Sequence, residues 1–112
     1  MFKAHKQGDI ERLSGAPREM MAKVRDALSQ DSPVLMWLRG PKKNGLNHWV
    51  LAIGKSEDSI YMLDPACELP HASYWNAVLK RQDGKHSFAY RYLNYSRDDC
   101  DVQANEIVIV KG

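Results

Sequence analysis

Two short apolar segments separated by four polar residues constrain the fold most. Residues 48–54 and 59–63 are rich in aliphatic and aromatic side chains, and Lys55-Ser56-Glu57-Asp58 lies between them. Short apolar runs on both sides of a polar turn are typical of a β-hairpin. The second run stops at Asp64-Pro65, because proline cannot continue a strand ladder. The sequence therefore predicts an antiparallel hairpin over residues 48–63.

The remaining segments predict a sheet with two helices. Pro17 opens a stretch whose apolar residues recur at helical spacing, so we expect a helix there. Residues 1–13 and 96–105 are polar and read as irregular segments. We expect an α+β domain, with about five antiparallel strands, an N-terminal helix and a short second helix. The other expected elements are helices over 17–29 and 73–79 and strands over 33–38, 87–95 and 106–110.

Length and charge limit the function classes. The chain has 112 residues, which predicts one domain over 1–112 with a polar N-terminal segment over 1–13. Lys and Arg total 16 against 14 Asp and Glu, a balance that argues against a nucleic-acid partner. The sequence shows no secretory signal and no apolar run of the ~18 residues that a membrane span needs. We expect a cytoplasmic protein, or an effector that is secreted without a hydrophobic signal.

The hairpin carries a histidine and an aspartate whose positions permit a side-chain contact. If the turn centres between Ser56 and Glu57, His48 faces a position near Pro65, and Asp64 is one residue away. A carboxylate that binds one imidazole nitrogen leaves the other nitrogen available as a base. A histidine at a strand start is also common as a structural residue, and Asp-Pro often opens a turn. Spacing alone leaves both roles open.

The stretch "SPVLMWLRG…NHWVLAIGKSEDSIYMLDPA" resembles a papain-like cysteine peptidase domain of the bacteriocin-processing type. The likeness includes the helix over 17–29, the strand after Pro33, the strand that begins at His48 and the hairpin end at Asp64-Pro65. It extends over about residues 17–66 and continues only in outline beyond them. It implies a papain-like half domain in which His48 is the general base and Asp64 its orienting acid. The neighbours of His48, Asn47 and Trp49, are the predicted substrate-groove residues.

The chain departs from this family at the nucleophile. In the family, a catalytic cysteine precedes the histidine and begins a helix, whereas no cysteine precedes His48 here. Cys67 follows Asp64 closely and is the candidate nucleophile in this chain. Cys100 lies among Asp98, Asp99 and Asp101, and carboxylates raise a thiol pKa, which argues against nucleophilic use. Cys67 and His71 are too few ligands for zinc, and we expect no metal and no cofactor.

Three functional hypotheses follow. In the first, the chain is the His/Asp part of a cysteine hydrolase, a peptidase or an amide hydrolase or deamidase of bacterial toxin or effector type. Its substrate would be a peptide or protein, and a Cys-bearing segment or second chain would complete it. In the second, the chain is an inactive peptidase-like module that binds peptide or protein. In the third, it is an unrelated α+β protein in which His48 is structural.

Overall fold

The structure, a computed structural model, describes residues 10–41, 47–65, 75–82, 88–95 and 99–111. These residues form one helix and seven strands. Within them, no helix has the length and hydrophobicity needed to cross a membrane. In chain order the elements are β1 (Ile10–Ser14), α1 (Pro17–Ser29), β2 (Val34–Arg39), β3 (Asn47–Lys55), β4 (Ser59–Leu63), β5 (Ala77–Arg81), β6 (Tyr90–Asn94) and β7 (Asp99–Val110).

The strands form a closed antiparallel barrel. The order is β2-β3-β4-β5-β6-β7, and β7 pairs with both β2 and β6, so that six strands complete the ring. β1 adds to β7 outside the ring. β7 can serve three neighbours because it is 12 residues long. Its residues 99–102 pair with β6, 103–109 with β2 and 106–110 with β1.

The predicted α+β fold, a papain-like half domain with about five antiparallel strands and two helices, is wrong. The chain is mostly β, the sheet closes on itself, and α1 is the one helix within the described residues. Part of the predicted helix over 73–79 is strand β5, which lies between β4 and β6. Pairing on both edges overrides the local helix propensity of Ala77-Val78-Leu79-Lys80. Residues 73 and 74 lie outside the described part of the chain.

Two segments predicted to be irregular contain strands. β7 begins at Asp99, inside the expected loop over 96–105, and β1 occupies residues 10–14 at the edge of the expected polar segment 1–13. The polar residues of early β7 fit a strand because alternate side chains face the interior and the exterior. Val102 and Ala104 are buried while Asp101 and Gln103 are half-buried.

Helix α1 forms where the sequence predicts it and covers part of the barrel. Pro17 stands in the first turn, where its missing N–H removes no helix hydrogen bond. The helix packs mainly against β7 and β3. The Arg25 guanidinium also donates, through Nη2, to the carbonyls of Ser56 (2.6 Å) and Glu57 (2.9 Å) in the β3–β4 turn. The buried stripe of the helix consists of Met20, Met21, Val24, Ala27 and Leu28.

Alternation along β2 and β3 separates the barrel interior from its outer face. Met36 pairs with Val50, and both side chains are fully buried. Trp37 pairs with Trp49 on the opposite face, where the ring centroids are 5.2 Å apart. His48 has the same parity as Val50, so its side chain faces the interior at the end of β3.

Candidate functional site

The strands bring His48 and Asp64 together. Near its open end the β3–β4 pair has Leu51 opposite Leu63, and a register shift lies between Ala52 and Gly54. Continuing this register puts Asp64 opposite Val50, diagonal to His48 and one residue from the predicted register. Diagonal neighbours on one face lie within reach of long side chains. His48 Nε2 is 2.8 Å from Asp64 Oδ2, so the predicted side-chain contact is present.

Asp64 is buried, whereas His48 reaches solvent. The Asp64 side chain is 1% exposed and that of His48 is 30% exposed. Burying a carboxylate is costly unless hydrogen bonds replace its hydration. Asp64 Oδ2 accepts from the hydroxyl of Tyr92 as well as contacting the imidazole of His48. The imidazole therefore connects a buried acid with the protein surface.

Asn76 holds the backbone of Asp64 in place just beyond the end of β4. Its Oδ1 accepts from the Asp64 N–H at 2.7 Å, and its Nδ2 donates to the Asp64 carbonyl at 2.9 Å. Asn76 is itself buried, and its own N–H donates to the carbonyl of Met62 at 3.1 Å. This two-way amide contact satisfies backbone groups that have left the strand ladder. The contact therefore fixes the Asp64 backbone, from which the carboxylate side chain extends.

Tyr92, on β6, supports the carboxylate from across the barrel. Its side chain is buried, and its hydroxyl accepts from Asn94 Nδ2 at 3.3 Å while donating to Asp64. The rings of Tyr92 and His48 stand edge to face at 89°, with centroids 6.5 Å apart. His48, Asp64, Asn76, Tyr92 and Asn94 are called the polar cluster below.

The sequence did not reveal three members of the polar cluster. Asn76 falls in the wrongly predicted helix, and Tyr92 and Asn94 lie on the aromatic-rich strand over 87–95. The spacing of Tyr90, Tyr92 and Asn94 does place them on one face of a strand. That spacing could have predicted that the three side chains face inward, but only the closed barrel shows that Tyr92 contacts Asp64 and that Asn94 contacts Tyr92.

The contact geometry assigns a tautomer to His48. A carboxylate accepts a hydrogen bond, so the imidazole proton lies on Nε2 when His48 is neutral. Nδ1 makes no hydrogen bond with the described residues. It is therefore the nitrogen that can accept a proton from a reacting group, while the carboxylate stabilises the charge that results.

The two cysteines differ in what the structure says of them. Cys67, the candidate nucleophile, lies outside the described residues. Cys100 pairs with Tyr92 across β6 and β7 and packs against the core. Two of its acidic neighbours are occupied elsewhere, since Arg91 forms ion pairs with Asp99 (3.1 Å) and Asp101 (3.0 Å). The hydrogen bond that Arg91 donates to Asp99 is the largest cause that raises the pKa of Arg91. The argument against Cys100 from neighbouring carboxylates is therefore weaker than the sequence indicated.

The predicted groove residues flank His48 without joining the polar cluster. Asn47 is exposed at the start of β3 and pairs with Arg39. Trp49 is half-buried on the outer face against Trp37. A substrate that touches both Trp49 and His48 would have to pass over the end of β3.

Within the described residues, no three His, Cys, Asp or Glu side chains converge as metal ligands would. Comparison of the chain with protein-family models, with curated proteins and with solved structures gives no match. What the fold and the site define is a small closed β-barrel that carries an oriented imidazole–carboxylate pair at one end. The function is therefore argued from this pair.

Proposed function

We propose that the chain supplies the base and the acid of a cysteine hydrolase that cleaves amide bonds of a peptide or protein. The observation that carries the proposal is the 2.8 Å contact between His48 Nε2 and the buried Asp64 carboxylate. The ordered likeness of the 33–65 stretch to papain-like peptidases of the bacteriocin-processing type supports it. A peptidase or deamidase of bacterial toxin or effector type is the form we propose.

In this reaction His48 acts as a base and then as an acid in each of two stages. Nδ1 first accepts the proton of a thiol, so that the thiolate can attack the amide carbonyl. The imidazolium then donates that proton to the departing amine as the tetrahedral adduct collapses to a thioester. Nδ1 next accepts a proton from water, which attacks the thioester, and returns it to the departing thiolate, so that the carboxylic acid is released and the thiol is restored. Asp64 stays ionised and stabilises the imidazolium, while Tyr92 and Asn76 keep its carboxylate in position. Acid–base catalysis of this kind contributes ~10²–10⁴-fold in rate.

In this proposal the thiol that attacks the amide comes from outside the polar cluster. We propose that a Cys-bearing segment or a second chain brings it to the exposed side of His48, with Cys67 as the alternative in this chain. The 30% exposure of the His48 side chain leaves an approach to the imidazole. The compartment we propose is the cytoplasm, or secretion as an effector without a hydrophobic signal.

Hydrolysis assays test the proposal. The chain is produced alone and also joined to the segment encoded directly upstream, and both are assayed with a panel of fluorogenic peptide amides. We expect turnover in the joined form, or in the chain alone if Cys67 is the nucleophile. His48→Gln should lower it about 100-fold or more, and an iodoacetamide-type probe should abolish it. Arg12→Gln, on β1, is the matched control and should leave turnover unchanged.

Two results would contradict the hydrolase. One is turnover that survives His48→Gln, and the other is turnover that survives alkylation of every thiol. Rapid, pH-dependent labelling of Cys67 with turnover in the chain alone would identify Cys67 as the nucleophile.

The second candidate is an inactive module that binds a peptide. The observation that favours it is β1, which pairs with β7 on one edge and has no strand on its other edge within the described residues. An extended peptide can add to such an edge through backbone hydrogen bonds. Peptide binding without turnover in either form of the chain would favour this candidate over the hydrolase.

A further inference from the structure

A recess lies between α1 and the barrel, apart from the polar cluster. It is a cavity of about 700 Å³, within the usual range for small-molecule sites. Its apolar lining includes Leu38, Leu79, Tyr90 and Val102, which all face the barrel interior. No member of the polar cluster belongs to its described lining. The cavity is therefore a separate site from the imidazole–carboxylate pair.

Every charged residue in the described lining of this cavity is an arginine. Arg18 and Arg25 come from α1, and Arg81 comes from the end of β5. The first turn of α1 also lines the cavity, and its N-cap, Ala16, has no side chain that could accept from the open N–H groups. Guanidinium groups and a helix N-terminus both favour an anion.

Arg25 supplies an independent sign that an acceptor belongs here. Its Nη2 is engaged by the carbonyls of Ser56 and Glu57, whereas its Nη1 is buried and makes no hydrogen bond with the described residues. A buried cationic donor without an acceptor is costly, and such groups are rare in native proteins. Because Nη1 is covered in this structure, an anionic head group in the cavity would become its acceptor only after a movement of the Arg25 side chain.

Arg81 interacts with Tyr90 in the lining and with acidic residues outside it. A hydrogen bond with Tyr90 is the first cause that raises the pKa of Arg81, and the charges of Asp58 and Glu57 contribute further. Those two carboxylates belong to the β3–β4 turn and do not line the cavity. The described lining therefore combines three cationic side chains with apolar ones.

We propose that this cavity binds a carboxylate that carries an apolar chain. The carboxylate would lie against Arg18 and Arg25, and the chain would lie among Leu79, Tyr90 and Val102. Two sources share this chemistry: a free fatty acid and the C-terminal end of a peptide whose last residues are apolar. The proposal does not depend on the hydrolase function.

Titration of the full chain with matched probes tests the site. The first probe is decanoate. Acetate is the control that keeps the carboxylate without the chain, and decyltrimethylammonium is the control that keeps the chain but has the opposite charge. We expect decanoate to bind at least about tenfold more tightly than either control, because both halves of the lining contribute. Two short peptides that end in two leucines, one with a C-terminal carboxylate and one with a carboxamide, distinguish a fatty acid from a peptide end as the natural ligand. Tighter binding of decanoate would identify a fatty acid, and tighter binding of the carboxylate peptide, lost on amidation, would identify a peptide end.

Two arginine variants locate the binding. Arg18→Gln and Arg25→Gln should each raise the Kd of the more tightly bound probe about tenfold, as expected for loss of a charge-assisted hydrogen bond. Arg12→Gln removes the same charge from β1 and should leave the Kd unchanged. Arg18 is exposed, so its variant reports on binding even if Arg25→Gln unfolds the chain. Equal binding of decanoate and decyltrimethylammonium, or equal Kd values for Arg12→Gln and Arg18→Gln, would overturn the proposal.

Discussion

At the scale of the residue, the burial of Asp64 organises the candidate site. A carboxylate that is 1% exposed keeps its place because His48 and Tyr92 supply contacts that water would otherwise make, while Asn76 holds the Asp64 backbone. His48 and Asp64 could be identified from the sequence because both lie on one hairpin, whose turn sets the register. Tyr92 and Asn76 could not, because their contacts with Asp64 cross to other strands of the barrel.

Removing the Tyr92 hydroxyl tests this arrangement. Tyr92→Phe leaves the buried carboxylate with one donor fewer, so we expect the free energy of unfolding to fall by about 1–3 kcal/mol. Urea denaturation measures the change. Tyr95→Phe is the control, since Tyr95 is 56% exposed and its variant should stay within about 0.5 kcal/mol of the wild type. Equal losses for the two variants would show that the Tyr92 hydroxyl does not stabilise Asp64.

At the scale of the element, the sequence predicts structure well where local signals agree with the pairing. Helix α1 has proline in its first turn and a stripe of apolar residues, and β3 and β4 alternate on both sides of a polar turn. β5 reads as helix, and early β7 reads as loop. Both become strands because they pair on two edges, β5 with β4 and β6, and early β7 with β6 and with the distant β2. The pairing with β2 leaves no local trace in the sequence.

The two faces of β2 should differ in their contribution to stability. Met36 is fully buried inside the barrel, whereas its neighbour Leu35 is half-buried on the outer face. Met36→Ala should lower the free energy of unfolding by about 2–5 kcal/mol, because it leaves a cavity in the core. Leu35→Ala should cost about half as much or less, since less apolar area is lost. Calorimetric or urea unfolding compares them, and equal costs would contradict the assignment of the two faces.

At the scale of the whole molecule, closure between β6 and β7 distinguishes the barrel from the predicted open sheet. Closure brings Tyr92 and Cys100 side by side and lets Arg91 bind two acids of β7. It also brings His48 of β3 and Tyr92 of β6 to one carboxylate, that of Asp64 just beyond β4. The sequence could not predict this closure, because the polar residues 96–105, which include the start of β7, read as a loop.

Hydrogen exchange tests the closure directly. In an antiparallel strand, successive N–H groups point to alternate sides. If β6 were an edge strand, every second amide in Tyr90–Asn94 would exchange rapidly. Because β6 pairs with both β5 and β7, we expect slow exchange at Arg91, Tyr92 and Leu93 alike. Alternating fast and slow amides would indicate an open sheet.

The proposed chemistry depends on the orientation of the His48 imidazole, and the nitrogen spectrum of the ring measures that orientation directly. Long-range ¹H–¹⁵N correlation, recorded on the neutral ring, reports which ring nitrogen carries the proton. His48→Gln assigns the signal. The contact with Asp64 predicts a single tautomer with the proton on Nε2 and an unprotonated Nδ1. A proton mainly on Nδ1, or the tautomer mixture of a free imidazole, would contradict an oriented base.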